Sequence, residues 1–165
     1  MTDSLFLDLS VDLLRRGYSV RFQANGRSMH PTIQEGEWIT VEPVEPSHIK
    51  RGDIILYQNH NGVIAHRVVG IKAVNTRPSA INDQGTGGIS ILNPQPSILN
   101  TFFMLRGDTS AVCDQPVLPQ QVLGKVVSVE RDGQLIDLHS RKAKLFQTVR
   151  LYVHRFKRCI VQVSL

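Results

Sequence analysis

Three kinds of polar side chain stand at the margins of apolar segments in this chain. Ser28 lies in a turn-forming stretch, and His66 interrupts an apolar run. Asp108 and Asp114 follow a second apolar run. A serine hydroxyl is a weak nucleophile until a base removes its proton, which neutral imidazole can do near neutral pH. A carboxylate then fixes the imidazole tautomer and stabilises the imidazolium, so these residue types predict acyl-transfer chemistry.

The stretch around Ser28 has the composition of a stiff turn. Gly26 permits backbone conformations that other residues resist, and Pro31 fixes its own φ and lacks an N–H. Met29 places an apolar side chain directly beside the serine. A serine held on such a turn at the margin of a sheet can be aimed at a substrate. We therefore expect Gly26, Met29 and Pro31 to contact the substrate.

Each of these residues also has an ordinary structural interpretation. Gly, Ser and Pro are common in surface turns, and a Gly-Asp pair after a strand is commonly a turn as well. A histidine within an apolar strand is often a hydrogen-bonded residue of the core or its rim. His30 is a second candidate base, but Pro31 favours extended backbone at His30. Two residues spaced like Ser28 and His30 in an extended segment have little freedom to form a hydrogen bond.

The elements that must position these residues are mostly strands. Leucines on one side of a helix predict an amphipathic helix over 4–16, which Gly17 ends. Alternating or continuous apolar residues predict the strands, and Asn61-Gly62 and Asp132-Gly133 are hairpin signals. The predicted strands cover 18–23, 38–42, 54–57, 63–74, 102–105, 122–131 and 135–138. The fold class is therefore mainly β, with a short N-terminal helix.

Two segments differ from this pattern. Residues 75–100 are rich in Asn, Ser, Gly, Pro and Gln, which predicts a mobile insertion, with a short strand conceivable near 89–92. Residues 141–165 form a basic tail whose apolar residues recur at helical spacing. Between 141 and 158 the tail carries seven Lys or Arg and no acid. Its apolar stripe must pack on the sheet or lie at an anionic membrane, with 142–158 facing the headgroups.

Composition limits the class of protein. The chain has 165 residues, 41% of them hydrophobic and 20% charged, and a net charge of +5, which is typical of one globular domain. We expect 1–140 to be that domain and 141–165 its tail. Its two cysteines form no zinc or C-x-x-C motif, so we expect no metal and no cofactor. Because neither a transmembrane run nor a secretory signal is apparent, we expect a cytoplasmic, at most membrane-peripheral, protein.

Five blocks of sequence, in this order, resemble the type I signal peptidase family and its LexA-like relatives. They are Gly26–Thr32, Arg51–Tyr57, Ile64–Val69, Arg106–Asp108 with Asp114 six residues later, and Leu123–Val126. Their order and spacing are most similar to the endoplasmic-reticulum and archaeal type. The resemblance implies a twisted, mostly antiparallel β-fold.

The resemblance also implies roles for the polar residues. Ser28 matches the nucleophile, and His66 stands where the bacterial type and the LexA-like repressors use lysine. Asp114 matches the acid of the triad, and Asp108 matches a supporting carboxylate. The segment before Ser28 predicts a short amphipathic helix and not the membrane anchor that usually precedes the serine in this family, so we do not carry over the family's exported substrate.

We therefore expect a serine endopeptidase that processes a leader or signal-like peptide, so that its partner is a peptide or protein. One alternative is a non-catalytic peptide-binding module on the same fold. A self-cleaving LexA-like regulator is less favoured, because the residues before Gly26 are too few for a DNA-binding domain and the Ala-Gly pair that such repressors cut is missing. We expect no nucleic-acid partner. The sequence does not predict the oligomeric state.

Overall fold

A computed structural model describes residues 2–60, 62–73 and 101–138 of the chain. These residues form one α-helix and an antiparallel sheet of seven strands. The elements are α1 (Thr2–Arg15), β1 (Val20–Gln23), β2 (Trp38–Glu42), β3 (Ile54–Asn59), β4 (Gly62–Ala73), β5 (Thr101–Arg106), β6 (Val122–Arg131) and β7 (Gln134–Asp137). The predicted insertion 75–100 and the basic tail 141–165 lie outside the described residues, as does the membrane contact proposed for 142–158.

The strand order of the sheet is β1-β2-β6-β3-β4-β5, and β7 pairs with β6. The long strand β6 therefore organises the sheet. One edge of β6 pairs with β2, and its other edge pairs first with β3 and then with β7. The β6–β7 hairpin turns at Asp132 and Gly133, which both have positive φ, as a tight hairpin turn of this sequence requires.

Apolar residues on the two sides of the sheet form separate core clusters. One includes Leu14 of α1, Met29, Ile54 and Leu56. The other includes Ile55, Tyr57, Val68 and the β5 residues Phe103 and Leu105. Because successive side chains of a strand point to opposite faces, consecutive residues of one strand serve both clusters.

Strand β4 illustrates this alternation and positions the site. Val63 and Ala65 pack against the cluster that contains Leu56, whereas Ile64 and Val68 pack against the cluster that contains Tyr57. By the same period, His66 lies on the side of Ile64, and Arg67 lies on the side of Ala65. Two neighbouring polar residues of β4 therefore serve opposite faces of the sheet.

The predicted mainly β class is confirmed, and the predicted helix and strands agree with the structure to within about two residues. Strand β3 extends to Asn59, beyond the predicted end at Tyr57, because Gln58 and Asn59 still pair with Val63 and Gly62. Polar residues can therefore extend β3, because β4 continues beside them and supplies backbone partners. In the part of the chain that the structure describes, no helix has the length and apolar character needed to cross a bilayer.

Candidate active site

Ser28 lies on a compact turn that is fixed by buried neighbours. Residues 28–32 form hydrogen-bonded turns, in which the His30 N–H donates to the Arg27 carbonyl at 3.1 Å and the Ile33 N–H donates to the Met29 carbonyl at 3.0 Å. The His30–Pro31 peptide bond within this turn is cis. Met29 is only 5% exposed, whereas Ser28 is exposed. The buried side chains hold the turn and leave the serine at the surface.

His66 and Asp114 form a direct pair. The Nδ1 atom of His66 lies 2.6 Å from Oδ2 of Asp114, and the two side chains are 12% and 23% exposed. The Asp114 backbone is fixed as well, since its N–H donates to the Leu105 carbonyl at 2.9 Å. Asp114, rather than Asp108, is the carboxylate that contacts His66, which is the partner that the family resemblance implies. With Nδ1 engaged, Nε2 is the ring nitrogen left to act as a base.

Tyr57 is the third member of this cluster, and it was not among the predicted site residues. Its hydroxyl donates to the same Asp114 Oδ2 at 3.2 Å, and the residue is 2% exposed. Burial, and then the charge and hydrogen bond of Asp114, raise the pKa of Tyr57 well above its ordinary value. The position of Tyr57 at the end of an apolar strand could have identified it, because a buried hydroxyl needs a hydrogen-bond partner.

Gly107 is the point at which the serine turn meets the histidine. A Cβ at this residue would lie 2.8 Å from the Ser28 carbonyl oxygen, 3.2 Å from Ser28 Cβ and 3.1 Å from His66 Nε2. Ser28 and the ring nitrogen of His66 that points away from Asp114 therefore border the same small space. Thr109 holds the turn there, because its N–H donates to the Ser28 carbonyl at 3.0 Å. Only a residue without a side chain allows so close an approach.

Asp108 is held on the other face of the sheet, by Arg67. Arg67 donates Nε to Oδ1 at 2.8 Å and Nη2 to Oδ2 at 2.7 Å, and the Asp108 side chain is 3% exposed. The Thr32 hydroxyl also donates to Asp108, at 2.5 Å. This bidentate pair has the geometry of strong, charge-assisted hydrogen bonds. Asp108 thus joins the serine turn to β4, beside His66 rather than in contact with it.

A groove of about 990 Å³ runs past Ser28 and His66. Gly26 and Met29, two of the three residues predicted to contact substrate, line this groove. Pro31, predicted to contact substrate as well, is buried and is not among the residues that line this groove. Most of the remaining lining is apolar and comes from α1, β1, β2, β3 and β4.

One wall of the groove is a strand edge. Residues 62–66 of β4 pair with β3 on one side, whereas β5 pairs only with residues 67–73. The backbone of Val68 forms two hydrogen bonds with the residues just before β3. Its N–H donates to the Asp53 carbonyl, and its own carbonyl accepts from the Gly52 N–H. By alternation, Val63 and Ala65 direct their backbone groups away from β3. Among the described residues, no strand pairs with that stretch, and both residues line the groove.

Neither a model of a known protein family nor a curated protein matches this sequence. The site is therefore interpreted from its own geometry. Within residues 2–60, 62–73 and 101–138, no hydrogen bond joins the Ser28 hydroxyl to His66. Catalytic hydrogen bonds are often long without substrate, so the shared space around Gly107 is the informative feature.

Proposed function

We propose that this chain is a serine endopeptidase with a fold of the signal-peptidase and LexA-like type. Ser28 is the nucleophile, His66 is its general base, and Asp114 orients His66. The observation that carries the proposal is the convergence at Gly107, where the exposed serine and the Nε2 side of an Asp-paired histidine border one space. This arrangement contains the elements of a Ser-His-Asp triad.

The proposed reaction follows from the tautomer of His66. Asp114 accepts a hydrogen bond from the Nδ1–H of His66, so the lone pair on Nε2 can take the proton of the Ser28 hydroxyl as the serine oxygen attacks the peptide carbonyl. The resulting imidazolium is stabilised by the Asp114 carboxylate and gives its proton to the departing amine. Water then repeats the sequence on the acyl-enzyme, which releases the second product and restores the serine.

Backbone donors at the serine turn support the charged intermediate. Among the described residues, no protein acceptor takes the Ser28 N–H, which leaves it available to the oxyanion that forms on the substrate carbonyl. A donor aimed at developing negative charge is typically worth a factor of about 10²–10³ in rate. The His30 N–H cannot serve in the same way while it donates to Arg27.

A peptide in extended conformation is the substrate that the groove fits best. Among the described residues the edge of β4 at Val63 and Ala65 is unpaired, so it can offer backbone N–H and carbonyl groups to an added strand, and this edge leads directly to His66. Strand addition brings a substrate backbone alongside the catalytic residues without requiring a particular side chain. We propose that the physiological substrate is a leader or signal-like segment bound in this way.

The test is cleavage of a peptide library by the full chain, followed by mass spectrometry of the products. We expect Ser28→Ala and His66→Ala each to lower the cleavage rate by about 10⁴-fold or more, because the triad acts as a unit. Ser47→Ala is the matched control, since it removes an exposed hydroxyl outside the groove. Circular dichroism should show the same folded state in all variants. A His66→Ala protein that keeps most of the activity would contradict the assignment of the base.

A non-catalytic peptide-binding module is the second candidate function. The observation that favours it is that the Ser28 hydroxyl and His66 are not hydrogen-bonded to each other. In that case the groove and the β4 edge would bind a peptide, and Ser28→Ala would leave peptide affinity unchanged. Binding without any cleavage by the wild-type chain would support this alternative.

A further inference from the structure

Helix α1 forms one wall of the groove. Phe6, Leu7 and Ser10 of α1 line the groove that contains Ser28 and His66. The C-terminal end of the helix is fixed to the sheet, because Leu14 is 2% exposed and Arg15 donates to the Gln58 side chain at 3.0 Å. A helix anchored at one end in this way holds its preceding turns at a defined distance from the sheet.

Two apolar residues of α1 are equally exposed but differ in their surroundings. Phe6 is 52% exposed and Leu9 is 53% exposed, yet only Phe6 lines the groove. Phe6 and Ser10 are one helical turn apart and share a face of α1. The Ser10 hydroxyl donates to the Phe6 carbonyl at 2.9 Å, so it is already satisfied within the helix. The face that α1 turns toward the groove is therefore effectively apolar.

The groove opposite α1 has the same character. Phe22, Trp38 and Leu56 contribute to it, and no Asp, Glu, Lys or Arg is among its lining residues in the described part of the chain. The guanidinium of Arg21 lies 4.6 Å from the Trp38 ring centroid on β2, which fixes that ring. An uncharged, mainly apolar groove favours apolar side chains and disfavours charged ones, which would lose water without gaining a partner.

We propose that α1 is the specificity element of this protein, with Phe6 setting the size of the apolar substrate side chain that the groove accepts. This inference rests on the proposed function, because it assumes that the occupant of the groove is a peptide presented to Ser28. Since side chains of an extended peptide alternate, Phe6 faces one substrate position or two positions that are two residues apart.

The experiment uses a peptide that the wild-type chain cleaves, with each position near the cut varied among Ala, Val, Leu and Phe. Phe6→Ala enlarges the groove, so the ratio of kcat/KM for Phe over Ala should rise about ten-fold at the position facing residue 6, the scale on which an apolar pocket discriminates small differences in size. Phe6→Leu should give a smaller change in the same direction. Leu9→Ala is the matched control, and its preferences should equal those of the wild type.

A binding arm separates this inference from the proposed function. This series, or the same series built on a library peptide that the wild-type chain binds if none is cleaved, is titrated into Ser28→Ala and into the double variant Ser28→Ala/Phe6→Ala. Cleavage with identical preferences in Phe6→Ala, Leu9→Ala and wild type would overturn the role of α1 and leave the peptidase intact. Absence of cleavage together with Phe6-dependent binding would support the role of α1 and overturn the peptidase. Absence of both cleavage and Phe6-dependent binding would overturn both.

Discussion

At the scale of single residues, the catalytic proposal depends on how closely Gly107 lets the serine turn approach His66. The atoms around residue 107 include a backbone carbonyl, which cannot rotate away as a side chain can. A methyl group added there would meet the Ser28 carbonyl oxygen at 2.8 Å, closer than real Cβ atoms come to other atoms. Either the turn or the end of β5 must then move, and both carry parts of the site.

Gly107→Ala should therefore lower kcat/KM by about 100-fold, the usual cost of displacing a reacting group by about 1 Å. The loss of stability should be modest, about 1–3 kcal/mol, as for other overpacked sites. Gly70→Ala is the matched control, because a Cβ there would meet Met104 at an ordinary 3.5 Å. Peptide cleavage and urea unfolding of the two variants give the comparison. Full activity in Gly107→Ala would mean that this close approach does not position Ser28.

At the scale of elements, the Asp108–Arg67 pair connects the serine turn with β4. Thr32 of the turn and Arg67 of the strand both donate to Asp108, and Arg67 also donates to the Gly52 carbonyl at 3.0 Å. A buried pair of this kind is costly to break, because the remaining charge loses its partner without regaining water. The turn and the strand should therefore come apart only when the domain unfolds.

Asp108→Asn should reduce the free energy of unfolding by about 3 kcal/mol, since it removes the buried carboxylate charge that Arg67 contacts. The chain offers an exposed pair as a control. Arg27 and Glu35 are 87% and 51% exposed, so Glu35→Gln should cost less than about 1 kcal/mol. Urea denaturation of both variants at neutral pH measures the difference. Equal losses in the two variants would show that Asp108 does not tie the turn to the strand.

The elements themselves could be predicted from the sequence, because apolar alternation and turn residues are local signals. Strand β6, for example, has the predicted bounds Val122–Arg131, because its apolar pattern leads into the Asp132-Gly133 turn. Local patterns could not predict what depends on pairing between distant strands. Tyr57 reaches Asp114 because β3 and β4 pair in a particular register, and Gly107 matters because the serine turn packs against it.

At the scale of the whole molecule, the sheet separates two kinds of carboxylate. Because side chains of β4 alternate, His66 contacts Asp114 on one face of the sheet and Arg67 contacts Asp108 on the other. Asp108 is neutralised by a guanidinium and is therefore suited to holding the fold together. Asp114 contacts an imidazole and a phenol, so its charge remains available to a proton-transfer reaction. One strand thus supports both the stability of the domain and its proposed chemistry.

The Tyr57 contact links the site to global stability in a way that pH can measure. The pKa of Tyr57 in the folded protein is raised above its ordinary value of 10.0, so the unfolded chain releases this proton at lower pH than the folded protein does. Its contribution to stability is complete below pH 10 and declines as pH rises above that value toward the folded pKa, with a slope of at most about 1.4 kcal/mol per pH unit.

Tyr57→Phe removes this titration together with the hydrogen bond to Asp114. The difference in unfolding free energy between wild type and Tyr57→Phe should therefore be constant between pH 7 and 9 and should shrink above pH 10. Tyr18→Phe is the control, because Tyr18 is 61% exposed and its removal should leave the wild-type pH dependence unchanged. Urea unfolding at a series of alkaline pH values provides the measurement. A Tyr57→Phe protein that loses stability above pH 10 as steeply as wild type would show that the Tyr57 proton is not held by the burial and the Asp114 contact that define this side of the site.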